Sequence, residues 1–489
     1  MEQVTTRQLV PGYEWGTVRE RLVERFLAAR EAFAPELPNQ AILTSLTLPL
    51  NADLQWFTGR MQFLNEGANQ FSWSSPHGNL RLLGYGTAET IIVRGTERFL
   101  HLKKHLRTLQ SRWFYRESDR PKLLGGFAFQ PGPRQGPWEG WEDGRFLLPR
   151  FLVEVDAHQN TFLTISVQVA FDRDASDLVE DVMSELHDWL NAPASVVSDT
   201  DMRRETAVVS QPDVQQDGWE DIVRFLATQI SAGDNSLHKV VLARRQTLHW
   251  SQPMALASVM ARLQQTYPES HVFSVCRPFG CFVGASPERL VRVVAGRVSI
   301  DALAGTIARG QSEAEGLQLG QRLLASRKDR REHAVVVEWI GKTIDDLVDE
   351  LTVPVEPVLR KLANVQHLFT PVDGSVKGDY SVIDFVERLH PTPAVAGEPR
   401  EAALRLIENH EQMDRGWYAS PVGWVSPSGD GEFTVALRSA VVTGAAGYLF
   451  AGAGIMGDSN PTLEWEETEL KLQAMRYALE KRAGEDYHG

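Results

Sequence analysis

Carboxylates and an ammonium group recur at helical spacing near the end of the chain. Glu464, Glu467 and Lys471 occupy positions i, i+3 and i+7 of a stretch whose apolar pattern predicts a helix from about Leu463. Two carboxylates one turn apart suit a hard divalent cation, and the lysine could neutralise an anion beside it. A solvated helix face with a Glu–Lys pair would give the same pattern. The Gly-Ala-Gly turn just upstream favours a ligand site, because bare backbone can approach a ligand closely.

A second predicted helix carries the same spacing of acids. Asp329 and Glu332 lie three residues apart in the charged stretch SRKDRREH. Two helices that each offer such a pair can hold one metal ion between them, although a charge-rich helix also produces this spacing by accident. The two pairs together therefore predict an acidic metal site.

Two further ionisable residues suit acid–base chemistry. Lys239 begins the apolar strand HKVVLARR, where burial would lower the pKa of its ammonium group and make it a base. Glu288 follows a Gly-Ala-Ser-Pro turn in an apolar hairpin, where burial would raise the pKa of its carboxyl group and make it a general acid. The alternatives are a lysine that extends to solvent at a strand end and a glutamate paired with a surface cation.

An arginine and a histidine are flanked by apolar residues. Arg438 lies in EFTVALRSAVVT, which predicts one strand and has no acidic residue close to the arginine. A buried arginine needs an anion, and a substrate carboxylate is one option. His367, in VQHLF, fits a hydrogen-bonded core histidine as well as a ligand contact. A base, an acid, an arginine and an acidic metal site together suit a small dicarboxylate.

Composition limits the class of protein. The chain has 489 residues, a net charge of -14 and a pI near 5.5, which argue against nucleic-acid binding. No apolar run reaches membrane-span length, and the first residues, MEQVTTRQLVPGYEW, lack a basic-then-apolar signal. We therefore expect a cytoplasmic protein with no membrane partner. Cys276 and Cys281 could meet across a predicted hairpin, but two cysteines in a chain of this length favour reduced thiols.

The order of predicted elements favours an α+β fold. Strand and helix patterns come in clusters without regular βαβ alternation, which indicates largely antiparallel sheets. A polar stretch over 192–218 predicts an exposed connection, and it divides the chain into an N-terminal lobe, 1–200, and a second region, 215–483. A long helical pattern extends from about Ser312 to Leu351.

Ordered motifs give a resemblance to a known family. The chain between residues 237 and 472 resembles the chorismate-utilising enzymes, and most closely the isochorismate synthases, in nine motifs that occur in the family's order: KVVLAR, GASPERL, DALAGT, KDRREH, VQHL, HPTPAVAG, ALRSA, AGAGI and EWEETELKL. The resemblance implies the α+β fold of this family, in which two largely antiparallel sheets pack across a core with helices on the outside. The N-terminal lobe and the second region would then form one unit.

The resemblance also implies an activity, which is the Mg²⁺-dependent conversion of chorismate to isochorismate. The lysine that matches Lys239 activates water for attack at C2 of the ring. The glutamate that matches Glu288 protonates the departing C4 hydroxyl. The double bonds shift between these carbons, so that the reaction is a net isomerisation.

The remaining site residues are carried over from the same motifs. Glu332 and Glu467 match the metal ligands, and Asp329 and Glu464 match the acidic shell around them. The positions that match substrate-binding residues form a larger set: Gly305, His367, Tyr418, Arg438, Ala453, Gly454 and Lys471.

Sister enzymes remain as alternatives. Anthranilate synthases need an amidotransferase partner and usually lack a lysine at the position of Lys239, so we expect no such partner here. HPTPAVAG is more similar to the isochorismate branch than to aminodeoxychorismate synthases. A salicylate synthase, which uses the same acid and base and then expels pyruvate, is the alternative enzyme. A catalytically silent chorismate-binding subunit would need the loss of Lys239, Glu288 or the acidic pairs, and none is lost. FSWSSP and the long N-terminal half favour menaquinone over siderophore biosynthesis.

Overall fold

The computed structural model describes residues 15–33, 41–52, 57, 69–191, 209–233 and 237–480. The start of the chain and most of the predicted connection near residue 200 lie outside these ranges. The described residues form ten α-helices: α1 (Trp15–Phe33), α2 (Arg98–Gln110), α3 (Ala175–Asn191), α4 (Gln216–Ala232), α5 (Leu256–Thr266), α6 (Glu313–Ala325), α7 (Arg327–Ile344), α8 (Val382–Leu389), α9 (Arg400–His410) and α10 (Pro461–Glu480).

The strands of the described residues form two sheets. The strand bounds are β1 (Ile42–Leu50), β2 (Gln70–Ser74), β3 (Arg81–Tyr85), β4 (Glu89–Val93), β5 (Trp113–Phe114), β6 (Leu123–Phe127), β7 (Gly144–Leu148), β8 (Phe151–Val155), β9 (Thr161–Val169), β10 (Val209–Pro212), β11 (Lys239–His249), β12 (His271–Arg277), β13 (Gly280–Ser286), β14 (Arg289–Val294), β15 (Arg297–Ala308), β16 (Val348–Thr352), β17 (Val358–Lys361), β18 (Val365–Val376), β19 (Gly397–Glu398), β20 (Pro421–Val425), β21 (Gly431–Val435), β22 (Ser439–Thr443) and β23 (Ala446–Ile455). The first sheet has the order β10-β11-β23-β22-β13-β12-β2-β3-β8-β9-β1-β5, with β19 beside β11, and the second has the order β16-β18-β15-β14-β21-β20-β6-β7-β4, with β17 beside β18.

Each sheet contains strands from both halves of the sequence. In the first sheet β12 pairs with β2, and in the second sheet β20 pairs with β6. The pairs among the described strands are antiparallel apart from β1 with β5. The predicted α+β fold with two largely antiparallel sheets is therefore confirmed. The boundaries 1–200 and 215–483 stay a prediction.

Two clusters of buried apolar side chains stabilise the two sheets. One cluster lies between them and includes large rings from both sheets, such as Trp73, Phe127 and Phe433. The second cluster packs the outer face of the first sheet against α1, α3, α5 and α10. Full burial of one such ring contributes about 1.5–3 kcal/mol, so these clusters fix the sheets relative to one another. No helix of the described residues is both long and apolar enough to cross a membrane.

The chain crosses between the sheets at two short connections. Pro287 and Glu288 join β13 in the first sheet to β14 in the second, and 436–438 join β21 to β22 in the opposite direction. The prediction of one strand through EFTVALRSAVVT is wrong, because this crossing divides it. Arg438 has a φ of 47°, a left-handed conformation that ends the extended backbone at the crossing.

The long helical pattern from Ser312 to Leu351 is also interrupted. Helix α6 ends at Ala325, and the side chain of Ser326 accepts a hydrogen bond from the backbone N–H of Asp329, which begins α7. Residues after Ile344 leave the helix, and Val348–Thr352 pairs with β18 as an edge strand. Asp349, Glu350 and Leu351 in this strand made it resemble a continued helix.

The prediction of reduced cysteines is contradicted. Cys276 and Cys281 are joined by a disulfide. They are directly paired residues of the β12–β13 hairpin, with Cα atoms 4.1 Å apart. The register of the hairpin therefore places the two sulfur atoms on one face, which a count of cysteines could not reveal.

Candidate active site

A cavity with about 900 Å³ of empty space, including the part open to solvent, contains residues of both sheets in its wall. Lys239 of β11 and Gly454 of β23 come from the first sheet, and His367 of β18 comes from the second. Every predicted site residue except Ala453 lines this cavity. Ala453 is fully buried in the core between the sheets, since side chains alternate along β23 and its glycine neighbours occupy the cavity wall.

Lys239 is held at the first position of β11. Its side chain is 2% exposed, and its Nζ lies 2.7 Å from Oε1 of Glu332 on α7. The opposing strand makes room for this pair, because a Cβ atom on Gly454 would lie 2.9 Å from that Glu332 oxygen and 2.9 Å from the Lys239 Cε. The absence of a side chain at residue 454 thus allows the ammonium group to reach the cavity.

Glu288 lies at the crossing from β13 to β14. Its backbone carbonyl accepts hydrogen bonds from the Thr434 hydroxyl at 2.6 Å and the Val435 N–H at 3.1 Å, which fix the residue between the two sheets. Burial, followed by the charge of Asp301, raises the pKa of the Glu288 carboxyl to about 8, although Lys239 acts in the opposite direction. The raised pKa favours the protonated carboxyl of Glu288 at neutral pH, which is the form that a general acid requires.

The four predicted metal-site acids lie on α7 and α10 and line the same cavity. On α10, the Lys471 Nζ lies 2.5 Å from Oε1 of Glu467, and it also donates to the Gly452 carbonyl at 2.8 Å. The predicted i, i+4 pair of Glu467 and Lys471 is therefore present, and both residues line the cavity. Glu464 lies 3.3 Å from the Lys328 Nζ.

Asp329 has a structural contact as well as a place in the cavity. Its carboxylate accepts a hydrogen bond from the Ser326 hydroxyl at the start of α7. Burial raises its pKa, and the charges of Glu332 and Glu467 act in the same direction. For Glu464, burial and then the charge of Glu467 raise the pKa to about 7. The carboxylates of the two helices thus repel one another, which a cation would relieve.

The donor atoms available to a metal fit magnesium. Among the described residues, no three acidic, histidine or cysteine side chains are grouped closely enough to hold an ion by themselves. Mg²⁺ takes oxygen ligands, and it commonly uses one or two carboxylates together with water and substrate oxygens. Glu332 and Glu467, from separate helices, are the carboxylates that could supply this pair of ligands.

A histidine and an arginine form one side of the cavity. His367 Nδ1 lies 3.2 Å from the carbonyl oxygen of Gly305, and Nε2 lies 3.4 Å from Nη2 of Arg438. Burial and the charge of Arg438 hold the pKa of His367 well below its usual value. A neutral ring that donates from Nδ1 and accepts at Nε2 satisfies both contacts. Gly305 has a φ of 74° at a bulge in β15, where its carbonyl can turn towards the ring.

Tyr418 contributes a neutral hydroxyl from the turn that precedes β20. Its ring stacks on Phe450 with centroids 5.2 Å apart, and burial raises its pKa to about 12. A Cβ atom on Gly452 would lie 3.3 Å from the tyrosine oxygen. The next residue, Ala419, has a φ of 59°, so this segment turns sharply at the cavity. A hydroxyl that stays protonated can donate to a substrate oxygen.

Two basic residues of the cavity were not predicted from the sequence. Lys328 lies beside Asp329 in the charged stretch, and its position next to an acid predicted from the motif was the available signal. Arg415 lies three residues before Tyr418 and is buried in an ion pair with Glu411. No local pattern distinguishes it, because its partners lie on β11 and in the segment before β19.

The fold and this site define an enzyme-like cavity that contains a buried acid, a basic side chain and carboxylates from two helices. Residues 29–480 match the protein family described as chorismate binding enzyme. The chain therefore belongs to the chorismate-binding enzyme family, which confirms the resemblance in the motifs.

Individual relatives extend over most of the chain. The chain is 32% identical over 479 residues to "Isochorismate synthase MenF" of Bacillus subtilis, covering 95% of this chain and 98% of that protein. It is 38% identical over 418 residues to "Salicylate biosynthesis isochorismate synthase" of Pseudomonas aeruginosa, covering 85% of each. The solved structure of MenF, the menaquinone-specific isochorismate synthase from Escherichia coli, has a TM-score of 0.76 and 26% identity, covering 94% of this chain and 100% of that chain.

Proposed function

We propose that this protein converts chorismate to isochorismate and is an isochorismate synthase. The observation that carries the proposal is that Lys239 and Glu288 open onto one cavity together with acids from two helices. The names of relatives that align over most of their length support the same reaction. In this reaction a hydroxyl is added at C2 of the ring and another is lost from C4.

Lys239 and Glu288 have complementary roles in the proposed step. The amine of Lys239, which must first give up its ammonium proton, accepts a proton from water as the oxygen forms a bond to C2. The carboxyl of Glu288 donates its proton to the C4 hydroxyl, which departs as water while the ring double bonds shift. One water enters and one leaves, so no oxidant or reductant is needed. The raised pKa of Glu288 supports this assignment, because the acid must be protonated before the step.

The other cavity residues bind and orient the substrate. Arg438 and the Tyr418 hydroxyl supply donors for one carboxylate, and His367 holds the guanidinium in place through its Nε2. Lys471 and the backbone of Gly454 complete the wall. A bidentate arginine contact fixes direction as well as charge, which aligns the ring for attack.

Mg²⁺ is part of the proposal. Glu332 and Glu467 would hold the ion, with Asp329 and Glu464 in the surrounding acidic shell. When bound, the ion supplies positive charge that neutralises the acids and a substrate carboxylate. Without a cation, four carboxylates would repel a dianionic substrate.

Metal removal tests this part directly. We expect EDTA to reduce turnover to background and excess Mg²⁺ to restore it, with both effects followed by product formation. Addition of Ca²⁺ in place of Mg²⁺ serves as the control, because its longer oxygen distances would place the substrate differently. Full activity in the presence of EDTA would contradict a role for the metal.

Product analysis tests the reaction itself. Incubation with chorismate and Mg²⁺, followed by chromatography and mass detection, should give isochorismate alone. Salicylate with pyruvate would favour the salicylate synthase alternative, and no turnover would favour a silent chorismate-binding protein.

The pathway that uses the product is inferred from similar proteins. We infer supply of menaquinone biosynthesis, because the similar solved structure from E. coli is that of a menaquinone-specific isochorismate synthase. A relative named for salicylate biosynthesis keeps the second pathway as an alternative. A cytoplasmic location and activity without an amidotransferase subunit stay predictions from the sequence.

A further inference from the structure

We propose that the buried ion pair between Arg415 and Glu411 is a positioning device for the strand that carries Lys239. Among the described residues, the pair stands where a partner strand would lie along the middle of β11. This inference deepens the proposed function, because it assigns the pair a role in placing the base of that reaction.

Among the described strands, the outer edge of β11 has a partner at each end but not in the middle. At its beginning, Lys239 and Val240 pair with β19. At its end, residues 246–249 pair with β10. The N–H of Val241 continues the first ladder by donating to Ala396 at 2.8 Å. The carbonyl of Val241 and the N–H of Ala243 face the interval that neither strand covers.

The ion pair satisfies both of these backbone groups. Arg415 Nη2 donates to the Val241 carbonyl at 2.8 Å, and Oε1 of Glu411 accepts from the Ala243 N–H at 2.7 Å. The two side chains also bind one another at 2.8 Å between Nε and Oε2 and at 2.5 Å between Nη2 and Oε1. A donor and an acceptor are thus presented to β11 as a neighbouring strand would present them.

The pair is buried, so its contacts are strong and costly to lose. The side chains of Arg415 and Glu411 are 4% and 3% exposed. The guanidinium lies 4.3 Å from the centroid of the Phe129 ring, which covers one of its faces. In such surroundings an unpaired backbone group or charge is unfavourable, which holds every partner in register.

The same arginine connects three parts of the cavity wall. Besides β11, its Nη1 donates to the Val395 carbonyl at 2.8 Å in the segment before β19. Its own carbonyl accepts from the Tyr418 N–H at 2.9 Å. Val241 lies two residues after Lys239, on the same face of β11. A change at the ion pair would therefore shift the catalytic lysine relative to the tyrosine and the opposite wall.

A purely structural role would affect stability without affecting chemistry, and the chain contains a matched control. Arg277 and Glu142 form another buried bidentate pair, with contacts of 2.7 and 3.2 Å and side chains 9% and 10% exposed. Neither residue lines the cavity. Glu142→Gln therefore removes a similar charge from a similar environment away from the candidate active site.

The central test compares Glu411→Gln with Glu142→Gln in the full chain. For Glu411→Gln we expect kcat to fall roughly 10- to 100-fold, with KM changed less than about threefold, because a displaced base slows the step while substrate contacts remain. Hydrogen exchange should become faster in residues 239–245. For Glu142→Gln we expect unchanged kinetics and unchanged exchange in that segment.

Two further variants separate positioning from misfolding. Glu411→Asp keeps the charge but shortens its reach, so we expect a smaller loss of kcat in a folded protein. The double variant Glu411→Gln/Arg415→Gln should lose less than the product of the single losses, because no buried charge is left unpaired.

The outcomes distinguish this inference from the proposed reaction. Normal kcat in a folded Glu411→Gln variant, or an equal loss in Glu142→Gln, would overturn the positioning role. Faster exchange over residues 239–245 in Glu411→Gln alone would support the pairing role even if the wild-type protein made no isochorismate. Absence of isochorismate from the wild type would overturn only the proposed function.

Discussion

The two sides of the cavity place ionisable groups in opposite ways. On one side Lys239 begins a regular strand and has a carboxylate 2.7 Å from its nitrogen. On the other side Glu288 lies at an irregular crossing between sheets, where burial is the largest influence on its carboxyl and raises its pKa to about 8. Lys239 therefore has an ionic partner, whereas burial is the main influence on Glu288. The ammonium group of Lys239 and the carboxyl group of Glu288 therefore lie in different electrostatic surroundings within one cavity.

The difference also concerns backbone geometry. The lysine side depends on strand pairing, on the bare backbone of Gly454 and on the ion pair between Arg415 and Glu411. The glutamate side depends on hydrogen bonds to the Glu288 carbonyl from β21 and the residue that ends it. Regular structure holds the proposed base, and a break in regular structure holds the proposed acid.

Removal of the lysine gives the largest expected effect. Lys239→Ala should lower kcat by about 10³-fold or more, since it removes proton acceptance and the contact with Glu332. Isochorismate formation measures the loss, and circular dichroism together with Mg²⁺ titration verifies that the fold and the metal site remain. Near-normal turnover in this variant would remove Lys239 from the role of base.

Replacement of the acid should have a slightly smaller effect. Glu288→Gln keeps the shape but cannot donate a proton, so kcat should fall about 10²- to 10³-fold. The control is Glu269→Gln, a partly buried acid outside the cavity whose pKa is also raised by burial. An equal loss of kcat in Glu288→Gln and Glu269→Gln would show that the loss does not come from proton donation in the cavity.

The raised pKa of Glu288 predicts a pH dependence of both activity and stability. Above about pH 8 the acid loses its proton, so kcat/KM should decline about tenfold per pH unit, and this decline should be absent from Glu288→Gln. The folded pKa lies above the ordinary value of 4.5, so the folded state binds the proton more tightly. The stability of the wild type relative to Glu288→Gln should therefore decrease between pH 4.5 and about 8, as measured by denaturant unfolding. A constant difference would contradict the burial of this carboxyl.

A methyl group on the lysine side should have the smallest effect. Gly454→Ala places a Cβ atom 2.9 Å from the Lys239 Cε and from Oε1 of Glu332, and these flexible ends can move only by leaving their contact. We expect kcat to fall about tenfold, with stability changed by about 1 kcal/mol or less. Gly341→Ala on α7 is the control, because its added atom would meet only Leu351 Cδ2 at 3.7 Å. An unchanged kcat would show that Lys239 does not need this space.

The sequence pattern within single elements was sufficient to predict which side chains share a face. Alternation in HKVVLARR placed Lys239 and Val241 on one face, and the i, i+3 spacing of acids placed two carboxylates on each helix. These patterns depend on the geometry of single elements. The family resemblance then brought the separate elements to one cavity, which periodicity could not have done.

Features that depend on contacts between distant segments were missed. The crossing between the sheets at 436–438 was not predicted, because the residues before and after it are both good strand formers. Arg415 contacts Val241 of β11, which is far away in the sequence. The disulfide is local, because its cysteines are five residues apart in one hairpin, and the low cysteine count argued against it. Ala453 was predicted to contribute backbone, and its side chain is buried while its neighbour Gly454 lines the cavity. The crossing and the contacts of Arg415 concern tertiary pairing that a linear pattern does not encode.

Each sheet contains strands from both halves of the sequence, and this affects how the chain could be divided into fragments. Strands β2 and β6 complete ladders whose other members come from beyond residue 270. A polypeptide shortened to the catalytic half would present β12 and β20 as bare edges, which pair readily with other chains and promote precipitation. Two coexpressed fragments, cut near residue 200, could satisfy those edges in trans and recover a folded assembly. The N-terminal half thus covers strand edges that the C-terminal half would otherwise expose.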